Sequence, residues 1–209
     1  MFEKFIAKQL SKPSGLFGRY FTFRWLEKNN TQINLDVINA LSLANQDTLL
    51  EIGFGSGMLI DNVLSNQSFK KIIGLDISSC MCNLAKERFK NEIDTQKLSI
   101  IEQTVESYLK SANGQVDKIA SVNTLYFWPE PELTLEACFE LLKASGKIVL
   151  AFDTKDNLSA WKGHQYGFKL YELTQVTDLL TKAGFINIQH QLGENVLTGE
   201  YWIVIGEKG

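Results

Sequence analysis

The chain has 209 residues, 44% of them hydrophobic and 22% charged, with a net charge of −3. This is the size and composition of one ordinary globular domain, and its slight acidity gives no global footprint for nucleic acid. No run reaches the length of a transmembrane helix, and the first residues lack the apolar core of a signal peptide, so a cytoplasmic location is expected.

Residues 1–30 reverse the charge balance. Six Lys/Arg stand there against two Glu, interleaved with Phe2, Phe5, Phe17, Tyr20, Phe21, Phe23 and Trp25. Phe2, Phe5, Ile6 and Leu10 fall on one helical face. The segment reads as a helix packed on the domain, a lid over a lipophilic substrate, a weak membrane-surface contact or a dimer contact. After "KPSG", residues 16–28 and 32–44 both read as helical, with Asn29-Asn30 as the break.

Thr48–Ile52 is a short buried strand running into a glycine-rich turn, "LLEIGFGSG", and Met58–Ser65 begins a helix. Lys71–Leu75 is a second strand ending at Asp76, after which Ser78 or Ser79 caps a helix reaching about Asn91. Leu98–Glu102 is a third strand, Val105–Ser111 a short helix and Asp117–Asn123 a fourth strand. Pro131 sits in the first turn of a helix ending near Lys143. "KASG" turns the chain into a fifth strand, 147–152, and an irregular aromatic segment follows over 153–171. A helix from about Thr174 is closed by Gly184, and Phe185–Leu192 and Tyr201–Glu207 are the last two strands. Five strands alternating with helices predict a doubly wound, mostly parallel sheet. The last two are joined too closely for a parallel crossover, so an antiparallel edge pair is expected, seven strands in all.

In such a sheet ligands bind at the carboxyl ends of the strands, which is where the glycine turn lies. Gly53 and Gly55 let the backbone turn sharply and approach a ligand. Asp76, nineteen residues past Gly57, is placed to accept both hydroxyl hydrogens of a ribose. A nicotinamide dinucleotide and S-adenosylmethionine both fit that outline. Against the dinucleotide, the glycines run G-x-G-x-G and Met58 stands where the sixth-position glycine would be. Glu51 is an acid beside the turn, unhelpful to a pyrophosphate but suited to a cationic ligand. The 47 residues before the first strand point the same way.

Together, "LLEIGFGSG", "GLDIS", "VDKIASVNTLYFW" and "LLKASGKIVL" resemble the motifs of the class I S-adenosylmethionine-dependent methyltransferases, with a Rossmann-like sheet. The likeness runs from about residue 30 onward and leans toward small-molecule members similar to the ubiquinone and menaquinone methyltransferases. It implies 31–209 as the methyltransferase domain, which leaves residues 1–30 as a helical lid segment. It implies that Gly53, Phe54, Gly55 and Gly57 line the methionine and ribose, with Glu51 orienting the loop and Asp76 on the ribose diol. Ile77 would pack on adenine with Met81 behind it, Thr104 and the Val105 amide would meet the adenine edge, and Asn123 and Thr124 would flank the sulfonium and amino-acid tail.

The acceptor side follows strand four in that family, which assigns Tyr126, Phe127 and Trp128 to the substrate pocket, with Asp153 at the end of strand five and Tyr20 from the lid. His164 and Tyr126 are the candidate proton acceptors, although methyl transfer from a sulfonium requires a base only when the acceptor must lose a proton. His190 reads as structural. Cys80, Cys82 and Cys138 form neither a disulfide framework nor a zinc spacing, so no metal is expected. The expected partner is a small molecule, aromatic or lipophilic, and S-adenosyl-L-homocysteine would be the second product. Two other readings share these residues: a non-catalytic module that binds the same cofactor, and a nicotinamide-dependent oxidoreductase without an evident Tyr-x-x-x-Lys dyad.

Overall fold

A computed structural model describes residues 2–66, 68–112 and 114–209. Four helical pieces come first: α1 (Phe2–Ser11), α2 (Gly15–Phe17), α3 (Phe23–Asn29) and α4 (Thr31–Leu41), with a π-helical turn, Gly18–Thr22, between α2 and α3. Then follow β1 (Thr48–Ile52), α5 (Met58–Asn66), β2 (Lys71–Asp76), α6 (Ser79–Arg88), α7 (Lys90–Asp94), β3 (Leu98–Glu102), α8 (Val105–Leu109) and β4 (Val116–Val122). The remainder is α9 (Pro131–Leu141), β5 (Leu142–Asp153), α10 (Lys155–Ser159), α11 (Leu173–Lys182), β6 (Ile186–Asn195) and β7 (Gly199–Glu207).

The seven strands form one sheet in the order β3-β2-β1-β4-β5-β7-β6. β1 to β5 pair in parallel, and β7 enters antiparallel between β5 and β6. The expected fold is therefore present, edge pair included. An inserted antiparallel strand also separates this sheet from the all-parallel dinucleotide arrangement.

Each parallel strand is apolar on both faces because both faces are covered. Alternate residues go to opposite layers. Leu49, Ile72, Ala120 and Val149 pack with α4, α5 and α6, whereas Leu50, Ile73, Ile119 and Ile148 pack with α8, α9 and α11. The strand order reverses between β1 and β4, so their carboxyl ends diverge there and leave a crevice.

Four boundaries differ from expectation. The helix read over 16–28 is broken by the π-helical turn, where Gly18 packs against the Pro13 backbone with no room for a side chain. The helix after Asp76 divides at Phe89, whose backbone leaves the helical region while its ring is buried against Gly57. α9 stops at Leu141, and β5 begins at once, with Lys143–Gly146 looping out between two paired stretches. The segment 153–171 contains α10 and a 3-10 turn, Lys162–Gln165, against which α1 packs.

Candidate active site

The crevice is a cleft of about 1170 Å³, its open mouth included. Its floor is the glycine turn. Gly53, Gly55 and Gly57 all have positive φ, and the Gly53 amide donates to the Leu75 carbonyl at 2.7 Å, tying the turn to the end of β2. A Cβ at Gly53 would collide with the Thr124 methyl, and one at Gly57 would meet the Phe89 ring at 2.9 Å. The turn is thus wedged between β4 and α6. A larger residue at either position would have to push one of them away.

Two buried acids flank the turn. Asp76 accepts hydrogen bonds from the Gly55 amide at 3.0 Å and the Ser78 amide at 2.8 Å. Each carboxylate oxygen keeps a lone pair for a ligand. Burial raises the Asp76 pKa above the ordinary carboxylate value, and those amides pull it back down. Glu51 is buried deeper. Its Oε2 has no partner among the described residues, and desolvation first, with the Asp76 charge second, holds its pKa well above the usual carboxylate range. Asp76 is the better served with donors, the Ser78, Gly55 and Ile77 amides against the Ile60 amide alone for Glu51. A cation beside Glu51 would bring its pKa down.

Beside Thr104, expected at an adenine edge, the cleft has an acceptor that the sequence did not reveal. Thr104 does line the cleft, but its hydroxyl accepts from the Ser107 amide as the N-cap of α8. The neighbouring Gln103 also lines the cleft, and its Oε1 is buried without a partner among the described residues. The spacing Thr104-x-x-Ser107 was the available signal: it commits Thr104 to the helix start and leaves Gln103 to face the ligand. Ile77 is a wall residue and remains exposed. Val105 is a wall residue too, whereas Met81 and Gly57 are buried outside the walls.

Asn123 follows β4 in the left-handed region, at φ 55°, a conformation Asn tolerates better than most residues. Its side-chain Nδ2 donates to Asn30 Oδ1 at 3.2 Å and its side-chain Oδ1 accepts from the Tyr126 hydroxyl at 2.9 Å. Asn34 donates to the Asn30 backbone carbonyl at 2.7 Å. Asn30, Asn34 and Asn123 therefore form a polar corner of the cleft, beside Thr124. Phe127 and Trp128 supply an aromatic wall, and the Trp128 indole donates to Thr124 Oγ1 at 3.2 Å.

The structure does not bring every expected residue to the cleft. Tyr126 is buried; its hydroxyl donates to Asn123 and accepts from the Asp153 amide, so it holds the corner from behind and does not reach it. Burial keeps its pKa well above the ordinary phenol value. Asp153 lies outside the walls, with its pKa pushed up to about 7 by desolvation. His164 sits on the 3-10 turn with Nδ1 2.7 Å from the Trp161 carbonyl, also outside the walls. Tyr20 points from the π-helical turn toward solvent.

The N-terminal segment enters instead through Leu10, Ser11, Pro13 and Leu26, which form part of the cleft wall. The Ser78 hydroxyl donates to the Pro13 carbonyl at 2.5 Å, two residues beyond Asp76. Arg88 fastens α3 from below: it reaches Glu27 at 2.9 Å, Asp61 at 2.8 Å and the Ser56 carbonyl at 3.3 Å, and lies over the rings of Phe23 and Phe89.

The arrangement offers a carboxylate with paired lone pairs for a diol, an orphan acid for a cation, an orphan acceptor for an amine edge and an apolar wall. An adenosine carrying a positive tail fits this donor and acceptor set. Residues 50–150 match the family profile described as a methyltransferase domain. Over 127 residues the chain is 27% identical to an uncharacterized methyltransferase of Bacillus subtilis, covering 61% of this chain and 67% of that protein. Over 214 residues it is 25% identical to a ubiquinone biosynthesis O-methyltransferase of Albidiferax ferrireducens, covering 93% and 83%. A crystal structure of an S-adenosylmethionine-dependent methyltransferase from Archaeoglobus fulgidus superposes with a TM-score of 0.71 at 14% identity, covering 90% of this chain and 100% of that one. Three further curated relatives are matched over only 37%, 44% and 52% of their own lengths.

Proposed function

We propose that the chain, whose residues 50–150 match a methyltransferase domain, is a class I S-adenosylmethionine-dependent methyltransferase that moves a methyl group from that cofactor to an aromatic or lipophilic small molecule. The observation that carries this reading is the pairing of orphaned Glu51 with amide-held Asp76 under one glycine turn, facing an apolar wall. When bound, the cofactor supplies an electrophilic methyl on a sulfonium that departs as a neutral thioether.

The chain's own residues would do the rest by placement. Asp76 holds the ribose diol. Glu51 would face the positive end of the ligand, and Gln103 would accept from the adenine amino group. Asn123, fixed by Tyr126 and Asn30, orients polar groups in the corner next to the acceptor. Phe127, Trp128, Leu10 and Leu26 exclude water, which lowers the dielectric around the reacting atoms. Holding the two partners in line is worth on the order of several kcal/mol of barrier. Among the wall residues Glu106 is a third acid; partial burial raises its pKa, but hydrogen bonds from Thr134 and Thr104 outweigh that and keep it below the usual value. It is therefore ionised at neutral pH and a weak base, so acceptors that need no strong base fit best.

The test is a calorimetric titration with S-adenosylmethionine, with NADH as control, followed by methyl-tritiated cofactor with a panel of phenols, quinols and amines. Saturable binding of the first titrant alone, and label transfer to an apolar acceptor, are the expected results. Binding of NADH, or label transfer restricted to hydrophilic amines, would overturn the reading.

A further inference from the structure

The six basic residues of the first thirty give that segment a charge of +4, and the rest of the chain carries −7. Lys4, Lys8, Lys12 and Arg24 are exposed and make no ion pair among the described residues. On α1, Lys4, Lys8 and Lys12 recur every four residues and so stand in one row, continued past the helix end by the Lys12 amide bonding to the Lys8 carbonyl at 3.0 Å. Phe2, Ile6 and Leu10 form a second row with the same spacing.

That second row is one side of an apolar trough. Phe17, Phe21 and Trp25 form the other, joined by Trp161 from the segment after β5. Burying such side chains in protein is the ordinary outcome, yet Phe2 is 73% exposed, Phe21 66% and Leu16, beside it, 76%. A second element adds to the exposed apolar surface. The β6–β7 hairpin tip presents Val196 at 97% and Leu197 at 60% exposure, and Asn195 ties that tip to the carboxyl end of α3 through the Asn29 carbonyl at 2.6 Å.

We propose that this trough and its basic residues are a docking surface for an anionic lipid bilayer. Exposed aromatic and aliphatic side chains from two elements insert at the headgroup level, while the lysine row lies about one helix diameter away. That is about one Debye length at physiological salt, and lysine stems reach further toward the surface. The charge argues for lipid over a second copy of this chain, whose matching face would carry the same positive charge. Leu10 belongs both to the trough and to the cleft, so the docked face adjoins the site. Docking is independent of methyl transfer; only delivery of a lipid-soluble acceptor past Leu10 rests on the function proposed above.

The experiment is co-sedimentation with vesicles of phosphatidylcholine alone and with 3:1 phosphatidylcholine–phosphatidylglycerol, at roughly 50 and 500 mM salt, a range that spans the screening length. Wild-type protein binds the anionic vesicles at low salt and is released at high salt. Lys4→Glu/Lys8→Glu lowers the partition coefficient at least about tenfold. Phe21→Ser/Trp25→Ser lowers it similarly, and both variants keep wild-type S-adenosylmethionine titrations, which shows that they are folded. Equal binding to both vesicle types, no binding to either, or unchanged binding of both variants overturns the proposal. So does a wild-type dimer in sedimentation velocity that Phe21→Ser/Trp25→Ser converts to monomer. A failed cofactor titration by wild-type protein that still binds vesicles would instead overturn only the methyltransferase reading.

Discussion

At the scale of single residues, the site depends on polar atoms that the fold leaves unsatisfied. Burial holds the Glu51 pKa well above the usual carboxylate range, and a cation bound beside it would bring it down. Titrating S-adenosylmethionine at pH 7 in buffers of different ionisation heat should therefore reveal proton release, and Glu51→Gln should abolish that release while weakening binding. Asp76→Asn keeps one acceptor for the Gly55 or Ser78 amide but loses the charge; affinity should fall about tenfold to a hundredfold, with far-ultraviolet circular dichroism unchanged. Gln103→Ala should weaken S-adenosylhomocysteine about tenfold but leave its inosine analogue unaffected, because only the adenine amino group meets Oε1. Equal losses for the two ligands would move the adenine edge elsewhere. Much of this was legible in the sequence: Glu51, Asp76 and the glycines carry their meaning in type and spacing. Gln103 was not, because which of two adjacent side chains faces a ligand depends on which one the next helix takes as its cap.

At the scale of elements, the strands were easier to read than the helices. An apolar run bounded by turn residues locates β1 to β4 to within a residue or two. Helix ends answered to contacts distant in sequence: Phe89 leaves its helix to cover Gly57, and Gly18 tightens a turn because Pro13 lies against it. Aromatic residues misled for the same reason. Tyr126 follows β4 just as Phe127 and Trp128 do, but the 3-10 turn Leu125–Phe127 rotates it into the core and the other two toward the cleft. Arg88 is the joint between the helical roof and the cofactor floor. Arg88→Met keeps the contact with Phe23 and Phe89 but drops three polar links, whose partly exposed ion pairs are individually worth under about 1 kcal/mol. Limited proteolysis should show cleavage within residues 12–28 several times faster, with little change in melting temperature. An unchanged cleavage rate would mean that the roof is held elsewhere.

At the scale of the whole molecule, Asp153 links stability to pH. Its folded pKa, about 7, lies above the ordinary carboxylate value, so the folded state holds the proton more tightly than the unfolded chain does. The resulting stabilisation is complete below about pH 4 and disappears as pH rises through 7, an effect of up to about 4 kcal/mol. Urea unfolding at pH 5 and pH 8 should show wild-type protein losing stability relative to Asp153→Asn across that interval. Parallel curves would show that Asp153 ionises in the fold as freely as in water.

The sheet order has a consequence for synthesis. β7 is made after β6 but lies between it and β5, and its Tyr201 hydroxyl bonds to Asp36 on α4 at 2.5 Å. Until Gly199–Glu207 has emerged, a nascent chain can assemble β1 to β5 but must keep the outer edge of β5 open, with β6 unable to take its place. The nascent chain thus presents a transient adhesive surface, an unpaired strand edge waiting for its neighbour. Slowing translation near residue 195 would lengthen that wait, so expression yield should track the pace of the ribosome over the last hairpin more closely than the stability of the finished fold.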